Sequence, residues 1–328
     1  MDNITYGEAI RSGFAYLLSN HPDTFVIGQG LWSPWYVGSS MTELEKEFGK
    51  ERVIDTPVSE LGCTSAAVGA SLFKKRPIVV HPRMDFMIYA TDSLVNQAAK
   101  WSHMLGGQAN PCVTVRGIIN RGGEQGAQHS QSLQSWFAHI PGLRVVMPHS
   151  VKDARDLLIA ATLSPDPVLY IDDRWLYENT DQLEPAKDID LLQIKNEVIR
   201  EGSDVTLAGC SWGTQLALEA ADELAKIGIS AEVVDLRVLN PFDAEALIGS
   251  VSKTGRLIAI DASWKTCGIS SEAITRVSEA IEPQLWKSKP VRISLPDAPA
   301  PSSKVLEDIY YPKPKMVTDA AKEMLTKK

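Results

Sequence analysis

A chain of 328 residues with 44% hydrophobic residues exceeds the roughly 250–300 residues at which a single hydrophobic core stops growing, so two domains are expected. Its net charge of −8 and pI near 5.4 would repel phosphates, which argues against broad attraction to nucleic acid or to an anionic membrane. Cys63, Cys112, Cys210 and Cys267 stand far apart, with no CxxC or Cys/His ligand spacing. That usage suits a reducing, cytoplasmic setting in which cysteine serves as a small hydrophobe. No stretch approaches the roughly 18 apolar residues of a membrane span, and the first residues lack a basic leader with an apolar core.

In chain order, helical apolar spacing covers Tyr6 to Leu18, and a short strand, Thr24 to Gly28, runs into Gly28-Gln29-Gly30. A loop carrying Trp32, Trp35 and Tyr36 reads as a packing device, followed by an amphipathic helix around Thr42 to Phe48. Val53 to Thr56 is a strand, Pro57 to Glu60 a turn, and Cys63 to Ser71 a helix of small residues. The pattern then predicts strand Pro77 to Val80, one long helix from Met87 to Met104, and strand Cys112 to Arg116. The polar, glycine-rich stretch from Ile118 to Gln131 reads as a loop that approaches something closely. Strand Leu143 to Met147, helix Val151 to Thr162 and strand Val168 to Ile171 follow. Short apolar strands alternating with helices imply a parallel sheet covered on both faces, whose ligands bind at the carboxyl ends of the strands.

A polar crossing from Trp175 to Gln193 leads into a second alternating unit. Its strands are Asp204 to Ala208, Ala231 to Leu236, Leu257 to Asp261 and Val291 to Leu295. Its helices are Thr214 to Lys226, Asp243 to Ser250 and Ser270 to Ala280, with a short tail after Pro299-Ala300-Pro301. The expected division is a first domain over residues 1–185, a linker over 186–200 and a smaller α/β domain over 201–328.

Glu60 follows a strand and precedes small residues that leave room for a bulky ligand, and Ser59 is placed to cap the next helix. A carboxylate there could exchange a proton if burial raised its pKa; alone, it reads equally as a helix-start charge. His129 sits in a glycine-flanked polar segment, where imidazole serves either as a proton donor or anion partner or simply as a solvent-facing loop residue. The other histidines form no HExxH, and no GxGxxG, GKS/GKT or GxSxG pattern occurs. The chain thus offers an acid/base pair without phosphate-binding apparatus.

Read together, the motifs carry a resemblance. The run Arg52-Val53-Ile54-Asp55-Thr56-Pro57-Val58-Ser59-Glu60, the block Asp85-Phe86 with Ala90-Thr91-Asp92 and Asn96-Gln97-Ala98-Ala99-Lys100, and Gly126-Ala127-Gln128-His129-Ser130 resemble beta chains of the thiamine diphosphate-dependent component of pyruvate, branched-chain and acetoin dehydrogenases. Likeness continues through His139-Ile140-Pro141-Gly142-Leu143 and Leu239-Asn240-Pro241-Phe242-Asp243 to Pro299-Ala300-Pro301 and Leu306-Glu307, nearly the whole chain. The resemblance implies an α/β fold with a pyrimidine-binding domain of transketolase type followed by a smaller transketolase C-terminal-like domain.

By the same resemblance, Glu60 hydrogen-bonds the aminopyrimidine of thiamine diphosphate and favours its imino tautomer, Phe86 packs on that ring, and His129 stands near the substrate and incoming acceptor. Mg2+ and the diphosphate are held mainly by a GDG motif on a partner alpha chain, in an alpha2beta2 heterotetramer; this chain carries no GDG. The implied activity is decarboxylation of a 2-oxo acid and transfer of the acyl or aldehyde unit to a lipoyl-bearing acyltransferase or another carrier. Alternatives are a two-subunit transketolase-like transferase that moves a two-carbon unit from a ketose, and a non-catalytic structural subunit. His81-Pro82-Arg83-Met84 departs from the family pattern. Within it, Arg83 is a substrate candidate whose planar fork suits a carboxylate or phosphate, with a surface salt bridge as the plain reading.

Overall fold

The computed structural model describes residues 3–326, which form two compact units. One runs to Asn120 and resumes over Trp136–Ile194; the other combines Arg121–Ser135 with the chain from Lys195 onward.

In the first unit, strand β1 (Ile4–Thr5) leads into helix α1 (Tyr6–Asn20). Thr5 caps that helix reciprocally: its Oγ1 accepts from the Glu8 amide at 3.2 Å, and Glu8 Oε2 accepts from the Thr5 amide at 2.8 Å. Ile10, Phe14, Leu17 and Leu18 recur at helical spacing and are buried. Strand β2 (Thr24–Gln29), helix α2 (Leu44–Phe48), strand β3 (Val53–Thr56), helix α3 (Glu60–Ser71) and strand β4 (Arg76–His81) follow. After helix α4 (Ala99–Met104) and strand β5 (Thr114–Ile119) come helix α5 (Gln134–Ala138), whose first two residues group with the second unit, then strand β6 (Arg144–Val146), helix α6 (Val151–Leu163) and strand β7 (Val168–Asp173). Strand β8 (Thr180–Asp181) pairs antiparallel with β1.

Six strands of this unit pair in parallel in the order β6-β7-β5-β4-β2-β3. Every residue of β5 and β7 is buried, as expected of strands covered on both faces. The order reverses at β2, which has β3 on one side and β4 on the other. Such a reversal opens a crevice outside the carboxyl ends of the strands.

A closed polar network lies in the same sheet. Arg116 on β5 is fully buried and grips Asp172 on β7 with two parallel bonds, Nε to Oδ1 at 2.8 Å and Nη2 to Oδ2 at 2.9 Å. Its Nη1 donates to Ser40 Oγ at 2.9 Å, its Nη2 also to the Tyr177 hydroxyl at 2.7 Å, and that hydroxyl donates to Asp172 at 2.6 Å. The Phe14 ring lies 5.7 Å from the guanidinium carbon.

The single helix expected over Met87 to Met104 is a 3-10 turn (Phe86–Ala90), a π-helical stretch (Ser93–Ala98) and then α4. Asp92 explains the widened middle. Its carboxylate accepts from Asn96 at 2.7 Å and from Gln97 at 3.2 Å, four and five residues on, as suits an i to i+5 winding.

The second unit comprises strands β9 (Glu197–Arg200) and β10 (Val205–Gly209), helix α7 (Trp212–Ala225), strands β11 (Ala231–Asp235) and β12 (Val238–Asn240), helix α8 (Glu245–Thr254), strand β13 (Leu257–Trp264), helix α9 (Ile269–Ala280) and strand β14 (Val291–Leu295). Its sheet runs β14-β13-β10-β11-β9, parallel except for the antiparallel edge β9. Residues 197–200, read from the sequence as linker, thus supply a strand. The expected short tail is two helices, α10 (Lys304–Tyr310) and α11 (Pro314–Thr326). In α11, Val317, Ala321 and Met324 recur at i, i+4 and i+7 and join the core of Leu207, Leu216, Val233 and Ile258. Among the described residues, no helix is long and apolar enough to cross a membrane.

Candidate active site

The carboxyl ends of β2, β3 and β4 meet the start of α3 at the point where strand order reverses. A small recess opens there, lined by Gly28, Gln29, Thr56, Ser59, Glu60, Cys63, Val80 and His81. Two local features keep it narrow. At Gly28 an added Cβ would lie 2.3 Å from the carbonyl oxygen of Val80, so only glycine lets β2 and β4 approach so closely here. On the other wall Thr56 Oγ1 and Cys63 Sγ are 3.2 Å apart, which fastens the end of β3 to α3. Asp55, in the same run, accepts from the amides of Gly30 at 2.6 Å and Leu31 at 3.2 Å. It holds the turn after β2.

Glu60 is the first residue of α3, three residues earlier than the helix start expected at Cys63. Its carboxylate is half-buried and has no hydrogen-bond or ion-pair partner among the described residues. The first turn of a helix favours a negative group, because its amides point outward without intrahelical partners. The cap expected from Ser59 is not made. Ser59 precedes the helix, but its side chain makes no capping bond; its hydroxyl instead occupies the space that a Cβ on Gly62 would need, 2.6 Å from that position.

Phe86, half-buried, opens the 3-10 turn that packs against α3, and its amide donates to the Arg83 carbonyl at 3.2 Å. The same stretch is tied to α3 by Ser93 and Ser65, whose hydroxyls are 2.8 Å apart. Arg83 lies between β4 and that turn. Burial, and then the nearby charge of Arg174, pull its guanidinium below the ordinary range, against the opposing influence of Tyr36 and Asp85. Glu60, Phe86 and Arg83 therefore all belong to the first unit.

His129 belongs to the second, in the loop 121–135. That loop is anchored to α10: the Glu124 amide donates to Glu307 Oε1 at 2.9 Å, and the Lys304 amide donates to Glu124 Oε1 at 3.3 Å. Gly126, with φ near +72°, would place a Cβ 2.5 Å from Ser302 Oγ. Arg121 donates to the Ala262 carbonyl at 2.9 Å and lies over the Trp212 ring. Gln134 donates to Asp261 at 2.9 Å. Burial raises the pKa of Asp261, against hydrogen bonds from Ser263, Ser270 and Gln134 that favour its charged form.

Sequence reasoning did not select His81 for the recess. Its signal was slight: a histidine at the predicted end of a strand, before a proline, in a stretch marked only as departing from the family pattern. His81 is buried, and its Nε2 lies 3.1 Å from Thr64 Oγ1 on α3. With burial alone acting, its pKa falls to about 4, so the ring is neutral at pH 7.

Two family models match the chain, the transketolase pyrimidine binding domain over residues 2–179 and the transketolase C-terminal domain over residues 195–317. The chain is 37% identical over 328 residues to the mitochondrial pyruvate dehydrogenase E1 component subunit beta of Saccharomyces cerevisiae, covering 98% of this chain and 89% of that one. It is 40% identical over 282 residues to the acetoin:2,6-dichlorophenolindophenol oxidoreductase subunit beta of Bacillus subtilis, covering 86% and 82% respectively. Among solved structures, a split gene transketolase described as an inactive beta4 tetramer matches 98% of each chain with a TM-score of 0.78 and 22% identity, a likeness of fold. The strand order, the paired domains and these near-full-length relatives agree: the chain belongs to the transketolase-like family of dehydrogenase E1 beta subunits.

Proposed function

We propose that this chain is the beta subunit of a thiamine diphosphate-dependent enzyme that decarboxylates a 2-oxo acid and passes the acyl unit to an acceptor, and that Glu60 and Phe86 hold the cofactor's aminopyrimidine. The observation that carries the reading is Glu60 itself: a carboxylate without a partner among the described residues, at the mouth of a recess where the strand order reverses. The residues that line the recess suit a heteroaromatic ring in their chemistry: Gly28, Cys63 and Val80 offer small or apolar surface, and Gln29, Thr56, Ser59, Glu60 and His81 offer hydrogen-bonding groups. Bound thiamine diphosphate supplies a carbon nucleophile and an electron sink. Glu60 would hold a proton at a pyrimidine ring nitrogen, which is general acid–base work for a carboxylate on a rigid helix start. Phe86 would fix the ring by apolar contact without taking that proton.

His129 is assigned to the substrate and acceptor, as a hydrogen-bonding imidazole on a loop braced by α10, and Arg83 to a carboxylate or phosphate of the substrate. The finer setting is a partner alpha chain that holds Mg2+ and the diphosphate, an alpha2beta2 assembly, and a lipoyl domain as acceptor. It is supported by family membership and by the lack of a GDG run in this sequence. A reducing, cytoplasmic location is supported by four free cysteines.

Purification of the endogenous complex tests the reading. A co-purifying alpha chain with a GDG motif, bound thiamine diphosphate, and release of carbon dioxide from 2-oxo acids are the expected results. Two-carbon transfer from ketoses with no decarboxylation would overturn the donor class. A complex that binds no cofactor would overturn the function.

A further inference from the structure

His81 shares the Glu60 recess, yet neither the family resemblance nor the reading above gives it a task. It ends β4, is 3% exposed, and lines the same recess as Glu60 at the start of α3. One ring nitrogen is used: Nε2 meets Thr64 Oγ1 at 3.1 Å, and Thr64 stands one helical turn beyond Glu60. The other, Nδ1, has no hydrogen-bond partner among the described residues. No carboxylate acts on the ring, and burial alone keeps it neutral. A neutral imidazole carries one N–H and one lone pair, so once Nε2 is committed to Thr64, Nδ1 presents a single defined hydrogen-bonding site. His81 lines the recess, so that remaining site is available to a ligand bound beside Glu60.

We propose that His81 is a cofactor-positioning residue of this chain, whose Nδ1 makes a hydrogen bond to the heteroaromatic ring bound beside Glu60. The inference rests on the thiamine diphosphate reading and extends it: the recess grips the ring through two polar side chains, Glu60 and His81, rather than through Glu60 alone. Thr64 fixes the imidazole plane from behind, so its contribution is indirect.

The geometry of amide replacements separates this role from a merely structural one. Asparagine places its amide near the Nδ1 position, whereas glutamine reaches the Nε2 position and can keep the Thr64 contact. With the chain assembled with its co-purified partner, thiamine diphosphate affinity would be measured by calorimetry, and the bound aminopyrimidine followed by near-ultraviolet circular dichroism. His81→Asn is expected to bind within about threefold of the parent, and His81→Gln at least about tenfold more weakly with an altered dichroism band. Thr64→Val, which leaves Nδ1 in place, should weaken binding less than His81→Gln; it also provides a reading if the glutamine variant fails to assemble, since a loss of tenfold or more in Thr64→Val would assign the effect to packing and overturn the proposal. Glutamine binding like the parent, with asparagine impaired, would likewise overturn it in favour of support through Thr64. Equal binding by both variants would overturn it outright. If the parent complex bound no thiamine diphosphate, the function proposed above would fall first, and this inference with it.

Discussion

Arg116 and Glu60 are both charged side chains drawn into the first unit, and their surroundings differ in kind. Arg116 has its partners supplied by the chain: two oxygens of Asp172, the Tyr177 hydroxyl, the Ser40 hydroxyl and the face of Phe14. Glu60, and His81 in the same recess, each keep a polar group to which the described residues supply no hydrogen-bond partner. A buried network that closes on itself fixes the sheet. The open one, where the strand order reverses, is where the ligand is proposed to bind. Charge and burial alone would have ranked Arg116 as the more conspicuous residue; the accounting of hydrogen bonds points to the other.

Removing one member of the closed network should have the largest effect on stability. Arg116→Met strands Asp172 in the interior and is expected to lower the free energy of unfolding by about 3–5 kcal/mol, whereas substituting Arg116 and Asp172 together by apolar residues should cost clearly less. Urea denaturation of the two variants checks this, and equal losses would mean that the network is not closed as described. Glu60→Gln should do the opposite, lowering turnover of the assembled complex by about a hundredfold or more with an unchanged urea midpoint. A variant with full turnover and bound cofactor would remove Glu60 from the chemistry.

His81 offers a pH-resolved test. Its folded pKa of about 4 lies below the ordinary 6.5, so between these values the unfolded chain binds a proton that the folded chain refuses, and stability falls as pH falls through that window. The total is about 3 kcal/mol, read as the difference in pH dependence of unfolding between the parent and His81→Gln. A parallel pair of curves would show an imidazole that titrates normally. Gly28→Ala, which forces β2 and β4 apart at the Val80 carbonyl, should cost about 1–3 kcal/mol and weaken cofactor binding. Thr5→Ala, at a cap remote from the recess, should cost about 1 kcal/mol and leave turnover unchanged.

Much of this architecture is legible in the residues. The strand-forming runs at Thr24, Val53, Pro77, Val168 and Val291 sit where apolar β-branched clusters and turn residues put them, and Glu60 stands out because small residues follow it. Failures came where tertiary contacts overrule periodicity. Apolar spacing from Met87 to Met104 is continuous, so nothing in it reveals that Asp92 will wind its carboxylate around Asn96 and Gln97 and widen the helix. The helical spacing of Val317, Ala321 and Met324 is present, but it follows prolines that suggested a tail, and only the core it completes explains it. His81 was invisible for another reason. The role proposed for it depends on β4 lying beside β2, a strand order that no local pattern encodes.

The loop carrying His129 imposes an order of events on synthesis. Its contacts to Ser302, Lys304 and Glu307 come from residues translated more than 170 positions after it, so while the nascent chain emerges the loop lacks these braces, and the anchors at Asp261 and Ala262 form before them. A product released before α10 would carry every residue of the Glu60 recess and still leave the histidine loop without its brace.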